Sequence, residues 1–76
     1  MSRCNYRDGS HVAAKRDTNV RSGPSIYYNI RHTVPEGQTG TVIGGPQWSD
    51  DEYTWCQVEY DSGAQGWSVE RNLNVA

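Results

Sequence analysis

Apolar and polar residues alternate with a period of two along several short stretches of this chain, and no window of about eleven residues carries a helical stripe. Residues 53–60 are the clearest case. Cys56, Val58 and Tyr60 fall on one face, and Trp55, Gln57 and Glu59 on the other. The first set predicts the core side, because burying Gln57 and Glu59 would be costly. Residues 11–14, 18–21, 30–34, 39–43, 64–68 and 73–75 read as further strands. In the second, Thr18 and Val20 oppose Asn19 and Arg21; in the third, Ile30, His32 and Val34 share a face, which predicts a partly buried, hydrogen-bonded His32. Residues 69–72 suit one helical turn.

The breaks between these runs have their own chemistry. Ser22-Gly23-Pro24 ends the second strand, with Gly expected to take an unusual φ and Pro to fix the next one. Pro35-Glu36-Gly37 and Asp61-Ser62-Gly63 predict hairpin turns, and Gly44-Gly45-Pro46 predicts the end of the fourth strand. Residues 22–29 form a loop holding Ile26, Tyr27 and Tyr28; residues 47–52 form an acidic loop carrying Trp48. Residues 1–10 read as a polar tail or a weakly held edge, and 11–76 as one domain. Short strands at this spacing predict an all-β fold, a small barrel or sandwich.

Composition narrows the function. A chain of 76 residues buries about 60–65% of its unfolded surface and has little room for a deep cleft beside its core. Mean hydropathy is −0.87, and Phe is absent, so three Trp and five Tyr carry the aromatic load. A net charge of −2 with scattered basic residues argues against a nucleic-acid partner. No apolar run approaches the roughly 18 residues a membrane helix needs, and no apolar stretch follows Met1-Ser2-Arg3-Cys4, so no signal peptide is visible. Two cysteines are too few for a disulfide scaffold. Cys4 and Cys56 can pair only where the N-terminal arm folds back; otherwise Cys56 is a small buried hydrophobe and Cys4 a free tail thiol.

Catalytic residues are not expected. Cys56 lies mid-strand, His11 and His32 lie in other strands, and no Gly-x-Ser-x-Gly elbow exists. No metal or other cofactor is expected: the Cys and His residues show no close metal-ligand pair, and Asp50-Asp51-Glu52 lacks calcium-loop spacing. Aromatic residues give the best functional signal. Trp55 sits on the polar face of its strand, and Tyr53, Tyr27 and Tyr28 sit in or beside loops. Rings facing water beside carboxylates suit a shallow groove for an extended peptide or sugar face. The candidate ligand-binding residues are therefore Trp55, Tyr53, Tyr27, Tyr28, Asp50 and Asp51. The two aspartates would pair with an amine or guanidinium.

The ordered series Asn19 to Pro24, Pro35 to Gly37, Trp55 to Val58, Gly66 to Ser68 and Leu73 resembles the bacterial Src-homology-3 family, over roughly Val12 to Leu73. The resemblance implies an SH3-like barrel of five to seven short strands. It also implies a non-catalytic binding or targeting module, holding cell-wall peptide, glycopeptide or peptidoglycan. The setting it implies is extracellular or at the cell envelope, in a monomer joined to another domain of a larger parent protein, with the cytoplasm as the alternative. By position Trp55 would overlie the groove that eukaryotic relatives use for proline-rich peptides. Ser68 replaces a usual apolar residue, which predicts looser packing beneath Trp67; Asn72 replaces a frequent aromatic. The acidic insertion Ser49-Asp50-Asp51-Glu52 is longer than in the shortest members. Two other readings remain: a structural spacer without ligand, and a proline-rich-peptide adaptor.

Overall fold

The computed structural model describes residues 6–48 and 53–76, without the side chains of 46–48. It is all-β, an SH3-like barrel. The strands are β1 (His11–Ala14), β2 (Thr18–Arg21), β3 (Ile30–Val34), β4 (Thr39–Trp48), β5 (Thr54–Tyr60), β6 (Gln65–Val69) and β7 (Leu73–Val75). A 3-10 turn, Glu70–Asn72, lies between the last two. They form one antiparallel sheet in the order β3-β2-β6-β5-β4-β1-β7, coiled around its own inner face.

The hairpins follow from their turn residues. Gln38 N–H donates to Pro35 O at 3.1 Å and Gly37 has φ +88°, so the β3–β4 turn places Pro35 first and Gly37 third, the type II arrangement. In the β5–β6 turn Gly63 takes φ +99°. Its N–H donates to Tyr60 O at 2.9 Å, and Tyr60 N–H donates to Ala64 O at 2.7 Å.

The predicted end of the fourth strand needs correction. β4 runs on through Gly44-Gly45-Pro46 to Trp48, and its register against β5 shifts between Val42 and Gly44 and again between Gly44 and Gln47. The glycines bend the strand rather than stop it; a bulge of this kind curls a sheet toward closure.

The core is Val12, Ala14, Val20, Val34, Val42, Cys56, Val58, Tyr60, Ala64 and Leu73. Inward residues alternate along β2 and β5 as the sequence pattern predicts: Thr18 and Val20 on one strand, Cys56, Val58 and Tyr60 on the other. Ser68, not Trp67, points inward from β6; its hydroxyl and that of Tyr60 lie 2.8 Å apart, fully buried. Trp67 is half-buried on the outer face. Burial pushes the Tyr60 hydroxyl above the ordinary phenol value of 10.0, and the Ser68 contact pulls it part of the way back.

Other expectations also change. Ile30 and His32 are exposed, because β3 is an edge strand from which Val34 alone is buried. Cys56 is disulfide-bonded rather than a free hydrophobe, while Cys4 lies outside the described residues. Within the predicted tail, residues 6–10 run along β4: Gly9 N–H donates to Val42 O at 2.7 Å and Val42 N–H to Ser10 O at 2.9 Å. Tyr6 packs against the core, its hydroxyl donating to Leu73 O at 3.2 Å.

Candidate functional site: an outer cleft lined by arginines and aromatics

β2 meets β6 at a single register pair, Arg21 with Trp67. A Cβ on Gly66 would lie 2.5 Å from Arg21 O and 2.9 Å from Val20 Cγ1, so only glycine lets the two strands approach this closely. The approach positions the outward-facing residues of β2, Asn19 and Arg21, beside those of β5. Between them is an open cleft of about 340 Å³.

Trp55 lies beneath this cleft. Its alternation is as predicted, away from Cys56 and the core, but it is 1% exposed rather than free to water. The expectation of an exposed indole is thus corrected: outward parity on a strand does not by itself leave a side chain open to water. Tyr53 stands beside it, half-buried, with ring centroids 6.3 Å apart at 76°, an edge-to-face pair. Arg71, delivered by the 3-10 turn, holds its guanidinium carbon 5.3 Å from the Tyr53 ring centroid. Val69 adds apolar surface, and Asn72 and Asn19 add amides.

The opposite wall is the loop of residues 22–29, and Arg21 fixes it. Its Nη1 donates to Ile26 O and to Tyr28 O, both at 3.0 Å. Ser22 N–H donates to Asn29 O at 2.9 Å across the base of the loop. Gly23 does not take a positive φ, contrary to expectation; it is required because a Cβ would lie 2.5 Å from the Tyr28 ring. That ring covers the Gly23 backbone while remaining 49% exposed. Ile26 reaches the cleft; Tyr27, 83% exposed, and Tyr28 stand on the same loop outside the cleft lining.

At the third end are Arg16 and Asp17. Asp17 Oδ1 accepts the Glu36 N–H at 2.9 Å and so ties the β1–β2 connection to the β3–β4 turn. The Thr18 hydroxyl donates to Arg16 O at 2.7 Å, holding the same bend.

Of the predicted site residues, Tyr53 and Trp55 are brought together, Tyr27 and Tyr28 are exposed on the loop outside the cleft lining, and Asp50 and Asp51 lie outside the described residues. Arg16, Asp17, Arg21 and Arg71 were not singled out by sequence reasoning. A signal existed for Arg21, the outward parity of β2. None existed for Arg71, which reaches Tyr53 only through the sheet. Among the described residues, no three His, Cys, Asp or Glu side chains are grouped as metal ligands. No helix there is long and apolar enough to cross a membrane.

Comparison with known proteins gives a consistent result. Over 61 residues, 80% of the chain, it is 33% identical to a Bacillus subtilis protein named as a putative N-acetylmuramoyl-L-alanine amidase, YrvJ. The matched stretch spans 11% of that protein's length. The family model described as the bacterial SH3 domain matches residues 16–74, and the chain belongs to that family.

Proposed function

We propose that this domain is a non-catalytic targeting module of the cell envelope that holds an extended wall peptide or glycopeptide in the outer cleft. The observation that carries the reading is the cleft itself. The half-buried ring of Tyr53, held edge-to-face by the buried Trp55, faces a loop whose backbone is pinned by Arg21. Rigid walls and a flat ring suit an extended chain, because little loop ordering has to accompany binding. The similarity to part of a protein named as a putative N-acetylmuramoyl-L-alanine amidase supports peptidoglycan as the source of that chain. The exposed rings of Tyr27 and Tyr28 extend the surface along the loop. An open site of this size binds weakly, so useful retention comes from tethering to an enzyme or from repetition.

The test is sedimentation of the domain with purified cell walls. Tyr53→Ala should lower retention several-fold while leaving the amide spectrum dispersed. Retention unchanged in Tyr53→Ala and lost in Tyr27→Ala would place binding on the loop tip instead. The burial of Trp55 favours a second reading, a spacer between domains. Equal, background-level sedimentation of every variant and of wild type would decide for the spacer.

A further inference from the structure

The whole chain has a formal charge of −2, yet the described lining of the cleft is positive. Among the described residues, Arg16, Arg21 and Arg71 line it against one carboxylate, Asp17, a formal +2. Among the described residues none of the three guanidiniums is in an ion pair, and Asp17 Oδ1 is already engaged by the Glu36 N–H. Arg21 has a structural task, since its Nη1 holds two loop carbonyls. Arg16 and Arg71 are exposed at the cleft, and their guanidiniums donate no hydrogen bond among the described residues; the Arg71 guanidinium carbon lies 5.3 Å from the Tyr53 ring centroid, a contact that uses none of its donors.

We infer that the cleft selects carboxylates: Arg71, stacked on Tyr53, and Arg16 pair with acidic groups of the peptide that lies across the cleft. Guanidinium is the side chain best shaped for this, because its fork can meet both oxygens of a carboxylate. Concentrating positive charge in a concave region of an acidic protein also steers an anionic chain to that face and away from the rest of the surface. The consequence reverses the expectation raised by the acidic run before Tyr53: the preferred ligand group is an acid, not an amine. The inference rests on the peptide-binding reading of the cleft and adds the chemical class of the ligand.

The experiment titrates the labelled domain, followed by amide and arginine side-chain shifts, with three probes. These are a synthetic wall tetrapeptide with free carboxyl groups, the same peptide fully amidated, and a poly(glycerol phosphate) chain. The free acid should bind about fivefold more tightly than the amide, the gain expected of one or two exposed charge pairs. The gap should shrink as salt rises, and the shifts should centre on Arg16, Tyr53 and Arg71. Arg16→Gln should reduce the gap, and Arg16→Gln with Arg71→Gln should abolish it. Arg71→Lys should keep part of it, which a merely structural role for Arg71 would not predict. Equal binding of acid and amide at the same amides would overturn the carboxylate preference and leave the cleft as a peptide site. Shifts at none of the cleft amides with either peptide would overturn both. Binding of the phosphate polymer without binding of the free acid would overturn it in favour of a phosphate-bearing wall polymer. Arg16→Gln alters an exposed side chain of a connecting bend, so a dispersed spectrum is expected and keeps the comparison valid if Arg71→Gln proves unstable.

Discussion

Gly66→Ala tests the claim that the cleft exists because two strands approach more closely than a side chain allows. Gly66 does not have a positive φ, so the added methyl brings no backbone strain of its own. Its Cβ would meet Arg21 O at 2.5 Å, Val20 Cγ1 at 2.9 Å and the Arg21 carbonyl carbon at 3.4 Å. The nearest atom is backbone and cannot rotate away, so β2 must shift outward by several tenths of an ångström. Overpacking of this kind costs roughly 1–3 kcal/mol, and a rigid neighbour puts the change near the upper end. Alanine recovers up to about 1 kcal/mol through its better strand propensity. A net loss of about 2 kcal/mol lowers Tm by roughly 8–16 °C in a domain of this size. Because β2 pairs with β6 only through Arg21 and Trp67, the shift should also loosen the loop that Arg21 holds. Thermal unfolding followed by Trp fluorescence gives the first quantity, and amide exchange at Tyr28 gives the second. Gly63→Ala is the contrast: nothing lies within 4 Å of its Cβ, so its cost comes from φ +99° alone and should leave Tyr28 exchange unchanged. A Gly66→Ala domain that melts within a degree or two of wild type, with Tyr28 equally protected, would refute the close-approach account of the seam.

Four further outcomes are expected. Arg21→Ala removes both hydrogen bonds to Ile26 O and Tyr28 O, and should raise exchange of loop amides by at least tenfold while costing only about 1 kcal/mol globally, because these bonds are exposed. Ser68→Ala strands the buried Tyr60 hydroxyl and should cost about 1–3 kcal/mol, much of which Tyr60→Phe in the same chain should restore in urea unfolding. The raised Tyr60 value means that, as pH climbs past 10.0, the unfolded state releases this proton before the folded state does; stability present below pH 10 should therefore fall above it, and Tyr60→Phe should flatten that part of a Tm-against-pH curve. The buried Thr54 Oγ1 has no hydrogen-bond partner among the described residues, so Thr54→Val should raise Tm by several degrees, a gain of about 1 kcal/mol.

Period-two patterning was enough to place β1, β2, β3 and β7 at their observed limits, and to assign the inner face of β5, because both depend on local geometry and on the cost of burying charge. It misled where a neighbour decided the outcome. Ile30 and His32 have core-like parity with Val34, but an edge strand curls away from the interior, and only its last residue is covered. Gly44-Gly45 has the composition of a terminator and acts as a bend, since β5 goes on to pair with Gln47 and Trp48. Gly23 read as a residue chosen for φ is one chosen for lack of volume under Tyr28. In the site, Tyr53 and Trp55 were legible as a pair two residues apart. Their cationic surround was not, because Arg16, Arg21 and Arg71 come from three segments that only the sheet assembles.

Core and cleft also depend on each other through β5. Its inner side chains, Cys56, Val58 and Tyr60, fill a narrow interior with no room for a ligand. Any binding surface must therefore be built on the outside, where strands this short offer few positions each. Trp55 solves part of that difficulty from beneath the outer face: at 1% exposure it offers a ligand almost no surface of its own, but it gives the half-exposed Tyr53 a fixed aromatic neighbour. Sealed in place, it also fixes Tyr53 edge-on, and Tyr53 in turn orients Arg71. A change at Trp55 should thus act on ligand binding through the posture of Tyr53 and Arg71 rather than through a lost contact. Trp55→Phe, which keeps an aromatic ring in the same position, should weaken binding in proportion to the displacement of the Tyr53 ring signals. Full binding with those signals displaced would show that the stack is not what holds the cleft in register.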